Sequence, residues 1–245
     1  VAKFPPAFKT FMSTLILPCA GRSSRFPNLP PKWMLDNNDK EAMLEMVMGS
    51  MPQNFKQTII TITSEQQKRW GAFDFLNSRL KWGADVIILD NPTRSAAETV
   101  YQTIQDGLIE GPITIKDCDC AVEYDPSNLT NYIVGLKVKK DSQIKRLEAK
   151  SFIKKNDNNI IEDIIEKRMI SNDICVGVYS CDANKYCESY TNIIDSDVYL
   201  ANQEIYVSHV FSHMILSESA VFSHIEADSF VDWGTLEDWE NNKNG

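Results

Sequence analysis

The 245-residue sequence contains no run of about 18 apolar residues, the length that a membrane-spanning helix needs. It also lacks an excess of basic residues: 25 Lys and Arg stand against 34 Asp and Glu, for a net charge of −9. Proteins that bind nucleic acids or anionic membranes broadly carry basic surfaces. We therefore expect no nucleic-acid partner and no membrane partner.

Cysteine and histidine do not occur in the spacings that metal and disulfide frameworks require. The six cysteines form no disulfide-scaffold pattern, which indicates reduced thiols and a cytoplasmic protein. Cys118 and Cys120 have no second C-x-C or histidine pair, so a soft-metal site is disfavoured. His209 and His213 lie four residues apart on a predicted helix, but no H-E-x-x-H glutamate accompanies them. Partly buried, hydrogen-bonded histidines are therefore favoured over a zinc site.

What the sequence does contain is an apolar strand, predicted at residues 14–17, that opens into a loop of small and basic residues. The loop residues are Pro18, Cys19, Ala20, Gly21, Arg22, Ser23, Ser24 and Arg25, and Lys32 follows. Small residues after a strand let backbone N–H groups approach a phosphate, and guanidinium and ammonium groups bind its oxygens. This pattern favours a nucleotide-binding loop. The alternative is an ordinary strand and turn with solvated arginines.

Alternating strands and helices in the first half indicate an α/β fold. Further strands are predicted at 58–63, 86–89 and 113–115, and Ser95 is predicted to cap a helix that begins near Ala96, with Glu98 as its capping-box partner. Such a pattern is typical of a mostly parallel central sheet flanked by helices. Ligands on such sheets bind at the carboxyl ends of the strands, so the loops there are expected to line one crevice.

The second half is predicted to extend the same domain. Strands are expected at 133–139, 151–155, 160–166 and 174–180, helices at 182–190 and 202–216, and a strand, turn and helix at 230–239. No internal repeat or interdomain linker is evident. We therefore expect a single domain over residues 1–245, with residues 1–12 as a flexible leader.

Carboxylates at predicted strand ends are the candidate metal ligands. Asp117 and Asp119 follow the fourth strand, and Asp232 comes from a distant segment. Carboxylates, substrate phosphates and water are the usual ligands of Mg²⁺, although D-x-D is also common in solvated turns. Glu166 and Lys167 end another strand; Lys167 can meet a substrate anion, while a surface ion pair is the more common role of such a dipeptide.

Four patches, spread over residues 14–240, resemble the sugar-1-phosphate nucleotidylyltransferases. These are NTP transferases with a Rossmann-like, glycosyltransferase-A-like α/β fold. P-C-A-G-R-S-S-R-F…P-K resembles the family signature G-x-G-[ST]-R…P-K, and K-D-C-D falls where the family keeps its first metal-binding aspartate. N-N-I-I-E-D-I-I-E-K followed by C-V-G-V-Y is similar to the acceptor-binding segment. F-V-D-W-G-T-L-E-D-W-E resembles the closing motif.

The resemblance implies a Mg²⁺-dependent transfer of a nucleoside monophosphate from an NTP to a phosphorylated acceptor, with release of pyrophosphate. CTP, UTP or dTTP is the implied donor. The implied acceptor is a sugar-1-phosphate or another small phosphorylated metabolite used in making cell-surface polysaccharide precursors. A homo-oligomer is compatible with the resemblance.

The resemblance also implies roles for particular residues. Arg25 and Lys32 match the catalytic residues that hold and activate the triphosphate, and Glu166 and Lys167 match the pair that meets the acceptor. The metal ligands would be Asp232 and either Asp117 or Asp119. Nucleotide binding falls to the loop and the helix start, namely Pro18, Cys19, Ala20, Gly21, Arg22, Ser23, Ser24, Ser95 and Ala96.

Three departures from the family pattern leave alternatives open. Ser23 replaces the middle glycine of the signature, Lys116 stands where a glycine precedes the metal-binding aspartate, and residues 93–97 replace a glycine–threonine pair. A metal-dependent glycosyltransferase would use the D-x-D string to bind a nucleotide-sugar diphosphate, but would leave the basic loop without a purpose. A non-catalytic nucleotide-binding protein of the same fold is a third possibility.

Overall fold

The computed structural model describes residues 13–52, 55–80, 83–126, 129–139, 144–196 and 204–244; the leader predicted at residues 1–12 lies outside them. The strands are β1 (Thr14–Pro18), β2 (Gln57–Thr63), β3 (Asp85–Leu89), β4 (Pro112–Lys116), β5 (Cys120–Glu123), β6 (Tyr132–Lys137), β7 (Ser151–Lys155), β8 (Ile161–Glu166), β9 (Asp173–Asp182), β10 (Ser223–Glu226) and β11 (Ser229–Asp232). The α-helices are α1 (Met43–Gly49), α2 (Ser64–Trp70), α3 (Ala72–Arg79), α4 (Ala96–Gly107), α5 (Ala183–Asp195), α6 (Val207–Ser217) and α7 (Leu236–Asn242).

Most of the strands form one mixed sheet, in the order β10-β6-β9-β4-β1-β2-β3. β1 pairs in parallel with β2 and β4, and β3 continues the parallel part at the edge. β9 is antiparallel to β4, β6 and β7, while β7 and β8 form a hairpin beside it. β5 and β11 form a separate antiparallel ribbon. The predicted α/β class with a mainly parallel central sheet is confirmed, and β9 adds an antiparallel strand to it.

Helices cover both faces of this sheet, and the alternation of side chains along β1 shows why. Leu15 and Leu17 belong to an apolar cluster on one face, and Ile16 belongs to the cluster on the other; all three have 0% exposure. Successive side chains of a strand point to opposite faces, so a continuously apolar strand is buried from both sides. β1 is therefore central, and the loop after it leaves the middle of the sheet.

Several local predictions change in detail. The helical segment after β2 is divided into α2 and α3, because Gly71 adopts φ +62 and ends α2. Ser95 caps α4, accepting a hydrogen bond from the Glu98 N–H at 3.1 Å. In a capping box the Glu98 carboxylate would accept a hydrogen bond from the Ser95 N–H. Here it accepts one from the Arg94 N–H, at 2.5 Å. The short strands β5 and β10 were not predicted.

The two remaining helices predicted in the second half are also present. α5 is longer than predicted, and α6 begins at Val207; residues 202 and 203 of its predicted span lie outside the described residues. None of the helices in the described ranges combines the length and the apolar character needed to cross a bilayer.

Candidate active site

The carboxyl ends of β1 and β4 and the start of α4 open into a cavity of about 760 Å³. Most of the predicted site residues line it, namely Pro18, Cys19, Gly21, Arg22, Ser23, Ser24, Arg25, Lys32, Ser95, Ala96, Asp117, Asp119, Glu166 and Asp232. Two predicted residues are not part of the cavity wall: Ala20 is fully buried, and Lys167 contacts the wall residues Glu166 and Tyr206 without lining the cavity itself.

The loop after β1 is stabilised by hydrogen bonds, both from its own backbone and from helix α2. Ser23 adopts φ +48, in the left-handed region, and its Oγ accepts a hydrogen bond from the Lys32 N–H at 3.2 Å. The Gln66 side chain of α2 donates to the carbonyl oxygens of Cys19 and Gly21 at 2.9 and 3.2 Å. Ser23 therefore keeps the backbone conformation that a glycine adopts easily, although it replaces the glycine of the family signature.

The loop presents positive charge to the cavity. Arg22 and Arg25 are exposed, and among the residues that the structure describes neither forms an ion pair. Arg94, at the opposite wall, is already engaged with Glu98 at 2.9 Å. Guanidinium groups that no carboxylate neutralises are suited to binding the oxygens of a polyphosphate.

Lys32 forms a close ion pair with Asp119 at the base of this loop, at 2.6 Å between Nζ and Oδ2. Burial alone would lower the pKa of Lys32, but Asp119 outweighs it and the pKa lies above its ordinary value. Burial alone would raise the pKa of Asp119, but Lys32, with smaller contributions from Arg25, holds this pKa well below its usual range. Both groups are therefore charged at neutral pH.

Asp119 and Asp232 meet because the β5–β11 ribbon brings their segments together. In that ribbon Asp232 pairs with Cys120, and the Trp233 N–H donates to the Asp119 carbonyl oxygen at 2.8 Å. A Cβ atom placed on Gly234 would lie 3.1 Å from Asp232 Oδ1 and 3.6 Å from Asp119 Oδ2. The two carboxylates thus face one small gap above Gly234, which the Arg146 guanidinium also borders at 3.7 Å from the same position.

Asp117 lies in a different environment from Asp119. Its N–H donates to the Gly177 carbonyl oxygen at 2.9 Å, and a Cβ on Gly177 would lie only 2.6 Å from Asp117 Oδ2. Gly177 has φ +75 and lies where the pairing of β6 with β9 shifts register. Burial, with the nearby charge of Asp119, raises the pKa of Asp117 to about 6. The glycine of C-V-G-V-Y therefore makes room for this aspartate.

Lys116 is a site residue that sequence reasoning noted only as a departure from the family pattern. It has 0% exposure, and its Nζ donates to the carbonyl oxygens of Asp117 and Cys120 at 2.7 and 2.8 Å and to Cys120 Sγ at 3.0 Å. All three N–H groups of the ammonium are used, which holds the loop 117–120 in place. The sequence feature that could have identified Lys116 is the position of a lysine at the end of an otherwise apolar strand.

The cysteines of this loop face different partners. Cys118 Sγ donates to the Pro18 carbonyl oxygen at 3.9 Å, whereas Cys120 Sγ accepts from the Lys116 ammonium at 3.0 Å. Within the described residues, the group of three metal-ligating side chains that lie close enough together is Asp173, His224 and Glu226, which is not part of the cavity wall. The Lys155 ammonium lies among them, 2.9 Å from His224 Nδ1 and 3.4 Å from Asp173 Oδ1.

The two histidines of α6 are hydrogen-bonded separately. His209 Nδ1 accepts from the Tyr206 N–H at 3.4 Å, and His213 Nδ1 lies 3.1 Å from the Ser189 hydroxyl. Each of these two histidines therefore has a hydrogen-bonding partner within the protein.

The far end of the cavity carries hydroxyl groups, a carboxylate and two cations. Glu166 accepts hydrogen bonds from the hydroxyls of Ser208, at 2.7 Å, and Ser151. Lys150 forms an ion pair with Asp232, while the Arg146 guanidinium forms its close ion pair with Asp238 and lies 4.0 Å from the same Asp232 oxygen. Sequence reasoning missed both cations, because no local pattern links residues 146–150 to residue 232.

No protein-family model and no curated protein matches the sequence. Solved structures share its fold. A nucleoside-diphosphate-sugar pyrophosphorylase from Vibrio cholerae RC9 is 18% identical, with a TM-score of 0.75 over 93% of this chain and 98% of that chain. An inositol-1-phosphate CTP transferase from T. maritima is 16% identical, with a TM-score of 0.70 over 94% and 93%. A UDP-glucose pyrophosphorylase complexed with UDP-glucose is 13% identical, with a TM-score of 0.69 over 95% and 97%. The chain therefore has the nucleotidylyltransferase fold that its motifs predicted.

Proposed function

We propose that this protein transfers a nucleoside monophosphate from an NTP to a small phosphorylated acceptor and releases pyrophosphate. The observation that carries the proposal is the pairing of Lys32 with Asp119 in a cavity where Asp119 and Asp232 converge beside a basic loop. A polyphosphate, a divalent cation and a second phosphate would each find a complementary group there. The shared fold of pyrophosphorylases and a CTP transferase supports the same conclusion.

The basic loop is the proposed triphosphate site. Arg22 and Arg25 are available to the phosphate oxygens, and the small residues of the loop allow a close approach of the backbone. CTP, UTP and dTTP are the proposed donors. Lys32 and Arg25 would oppose the negative charge that develops as pyrophosphate departs.

Asp119 and Asp232 fit a hard divalent cation such as Mg²⁺. Both offer carboxylate oxygens to the gap above Gly234, and carboxylates together with substrate phosphates and water are the ligands that Mg²⁺ prefers. Asp117 is excluded from the proposed pair because its carboxyl group packs on Gly177. A bound cation would neutralise phosphate charge between the two substrates.

The reaction needs positioning and charge neutralisation rather than a covalent intermediate. An oxygen of the acceptor phosphate forms a bond to the α-phosphorus, and the bond from the α-phosphorus to the bridging oxygen breaks. The pyrophosphate leaves with that electron pair. On the acceptor side, Glu166 and the hydroxyls of Ser151 and Ser208 form a wall suited to the hydroxyl groups of a sugar or polyol phosphate.

A sugar-1-phosphate or a related metabolite that feeds cell-surface polysaccharide synthesis is the acceptor class we propose. Cys19, Cys118, Cys120, Cys175, Cys181 and Cys187 are all free thiols, which supports a reducing compartment such as the cytoplasm.

The alternative hypothesis, a metal-dependent glycosyltransferase, has less support. A D-x-D motif would place both aspartates at the nucleotide-sugar, whereas Asp117 and Asp119 here have separate partners. The two reactions also leave different products, because a glycosyltransferase releases a nucleoside diphosphate.

The deciding experiment is a pyrophosphate-release screen of single NTPs against a panel of phosphorylated sugars and small phosphorylated metabolites, with Mg²⁺ or with EDTA. We expect one pair to give Mg²⁺-dependent release. Lys32→Met should lower that rate at least about 100-fold, because a charge-stabilising donor is lost. Lys68→Met, an exposed lysine of α2, is the matched control. Nucleotide binding without turnover across the whole panel would favour the non-catalytic alternative.

A further inference from the structure

Two lysines occupy the same end of the β7–β8 hairpin. Ser151 and Glu166 are cross-strand partners, and the Lys167 N–H donates to the Lys150 carbonyl oxygen at 3.0 Å, so Lys150 and Lys167 face each other at the next position. The two side chains nevertheless make different contacts. One belongs to the cavity and the other does not.

Lys167 does not itself line the cavity, although Glu166 and Tyr206, the two residues that its ammonium contacts, do. Its backbone adopts φ +56, in the left-handed region, where the side chain leaves the strand in a different direction from that of a regular β residue. Its ammonium bonds the Tyr206 hydroxyl, lies 3.9 Å from the centre of the Tyr206 ring, and is 3.8 Å from Glu166 Oε1. This lysine is 45% exposed, and its charge is shared between the ring and the carboxylate.

Lys150 is part of the cavity wall. Its side chain is only 16% exposed, its ammonium pairs with Asp232, and it lies 5.5 Å from the centre of the Phe230 ring. The Arg146 guanidinium approaches the same Asp232 oxygen at 4.0 Å. The closer partner of Arg146 is Asp238, so Lys150 and Arg146 are balanced by Asp232 and Asp238. Both cations line the cavity, and an anion that entered beside the gap between Asp232 and Asp119 would lie close to the Lys150 ammonium.

We propose that Lys150, rather than Lys167, binds the phosphate group of the acceptor. This inference rests on the proposed nucleotidyl transfer, which requires the acceptor phosphate to lie close to the Asp119–Asp232 pair. Of the two lysines at this end of the hairpin, Lys150 is the one that contacts Asp232. The left-handed backbone at Lys167 explains why the neighbouring lysine, matched by sequence to this role, contacts Tyr206 instead.

The test compares Lys150→Met, Lys150→Arg and Lys167→Met, with Lys154→Met as the matched control. Lys154 lies on the same strand, is 59% exposed and pairs with Glu162 outside the cavity. Steady-state pyrophosphate release is measured against both substrates for the acceptor that is active in the screen. In parallel, inorganic phosphate is titrated into each protein by calorimetry, which requires no turnover.

We expect Lys150→Met to lower kcat/KM for the acceptor by about 10- to 100-fold, the loss expected for a hydrogen bond to a charged group. The KM for the NTP should change by less than about twofold. Lys150→Arg should recover most of the loss, since it keeps a cation at this position. The fold should survive in Lys150→Met because Asp232 is 18% exposed and still accepts a hydrogen bond from the Gly234 N–H at 3.1 Å.

The phosphate titration should show one site that Lys150→Met lacks and that Lys167→Met and Lys154→Met retain. The basic loop is the same in all of these proteins, so the difference isolates residue 150. Equal phosphate binding by Lys150→Met and the wild type, or selective loss in Lys167→Met, would overturn the inference. If no substrate pair releases pyrophosphate, the proposed function fails, while the phosphate titration still decides the role of Lys150.

Discussion

Gly234→Ala tests whether Asp119 and Asp232 hold one cation between them. The new Cβ would lie 3.1 Å from Asp232 Oδ1 and 3.6 Å from Asp119 Oδ2, in the gap assigned to the metal. Since the φ of Gly234 lies outside the left-handed region, the backbone accepts alanine. The substitution therefore narrows the gap without removing a ligand.

The expected effect follows from the size of this displacement. A contact of 3.1 Å requires the Asp232 carboxylate to move by a few tenths of an ångström. Changes to groups that orient a metal ligand typically cost about 10- to 100-fold in metal affinity or activity, which corresponds to about 1.4–2.7 kcal/mol. The free energy of unfolding should change by less than about 1 kcal/mol, because replacing glycine at a compatible position restricts the unfolded chain.

The assay is the Mg²⁺ dependence of pyrophosphate release, together with Mn²⁺ binding followed by electron paramagnetic resonance. Gly49→Ala is the matched control, because an added Cβ at this residue near the end of α1 has no neighbour within 4 Å. We expect weaker Mn²⁺ binding and a higher Mg²⁺ requirement in Gly234→Ala alone. Wild-type metal affinity and rate in that variant would refute a cation shared by Asp119 and Asp232.

Three further predictions concern the framework of the site and the fold. Ser23→Gly should be more stable than Ser23→Ala by about 1–2 kcal/mol, the cost of a left-handed non-glycine residue; equal urea midpoints would contradict the strained loop. Lys116→Met should lower the free energy of unfolding by about 2–3 kcal/mol, because buried carbonyl oxygens lose their donor, and a loss below about 1 kcal/mol would argue against this role. Burial and the neighbouring Lys155 lower the pKa of His224, partly offset by Asp173 and Glu226. Below about pH 6.5 the unfolded chain therefore binds a proton that the folded protein does not. The contribution of His224 to stability should therefore fall from pH 7 towards pH 5.5, whereas the raised pKa of Asp117 contributes with the opposite sign. In urea unfolding, His224→Gln should gain stability relative to the wild type as the pH falls, and an unchanged difference would contradict the assignment.

The sequence determined the features that depend on neighbouring residues. Apolar segments alternate with helical ones along the chain, so the strands and the mainly parallel sheet could be predicted from periodicity. The start of α4 could be predicted because Ser95 caps it through a local hydrogen bond. The loop after β1 could be predicted to bind phosphate for the same reason, since its small and basic residues are consecutive. These patterns act over a few residues, and chain order alone carries them.

The tertiary structure alone decided which charged groups meet. The pairing of β5 with β11 brings Asp232 to Asp119. A strand was predicted near residue 230, but β5 was not, and no local signal indicated that the two would pair. The shift in register at Gly177 lets the Asp117 carboxyl group pack on that glycine, and Lys167, with its positive φ, contacts Tyr206 and Glu166 rather than Asp232. Strand register and backbone handedness depend on packing between segments that lie about a hundred residues apart. A one-residue change in register reverses the direction of every side chain, so the partners of these charges follow from the folded structure and not from the sequence pattern.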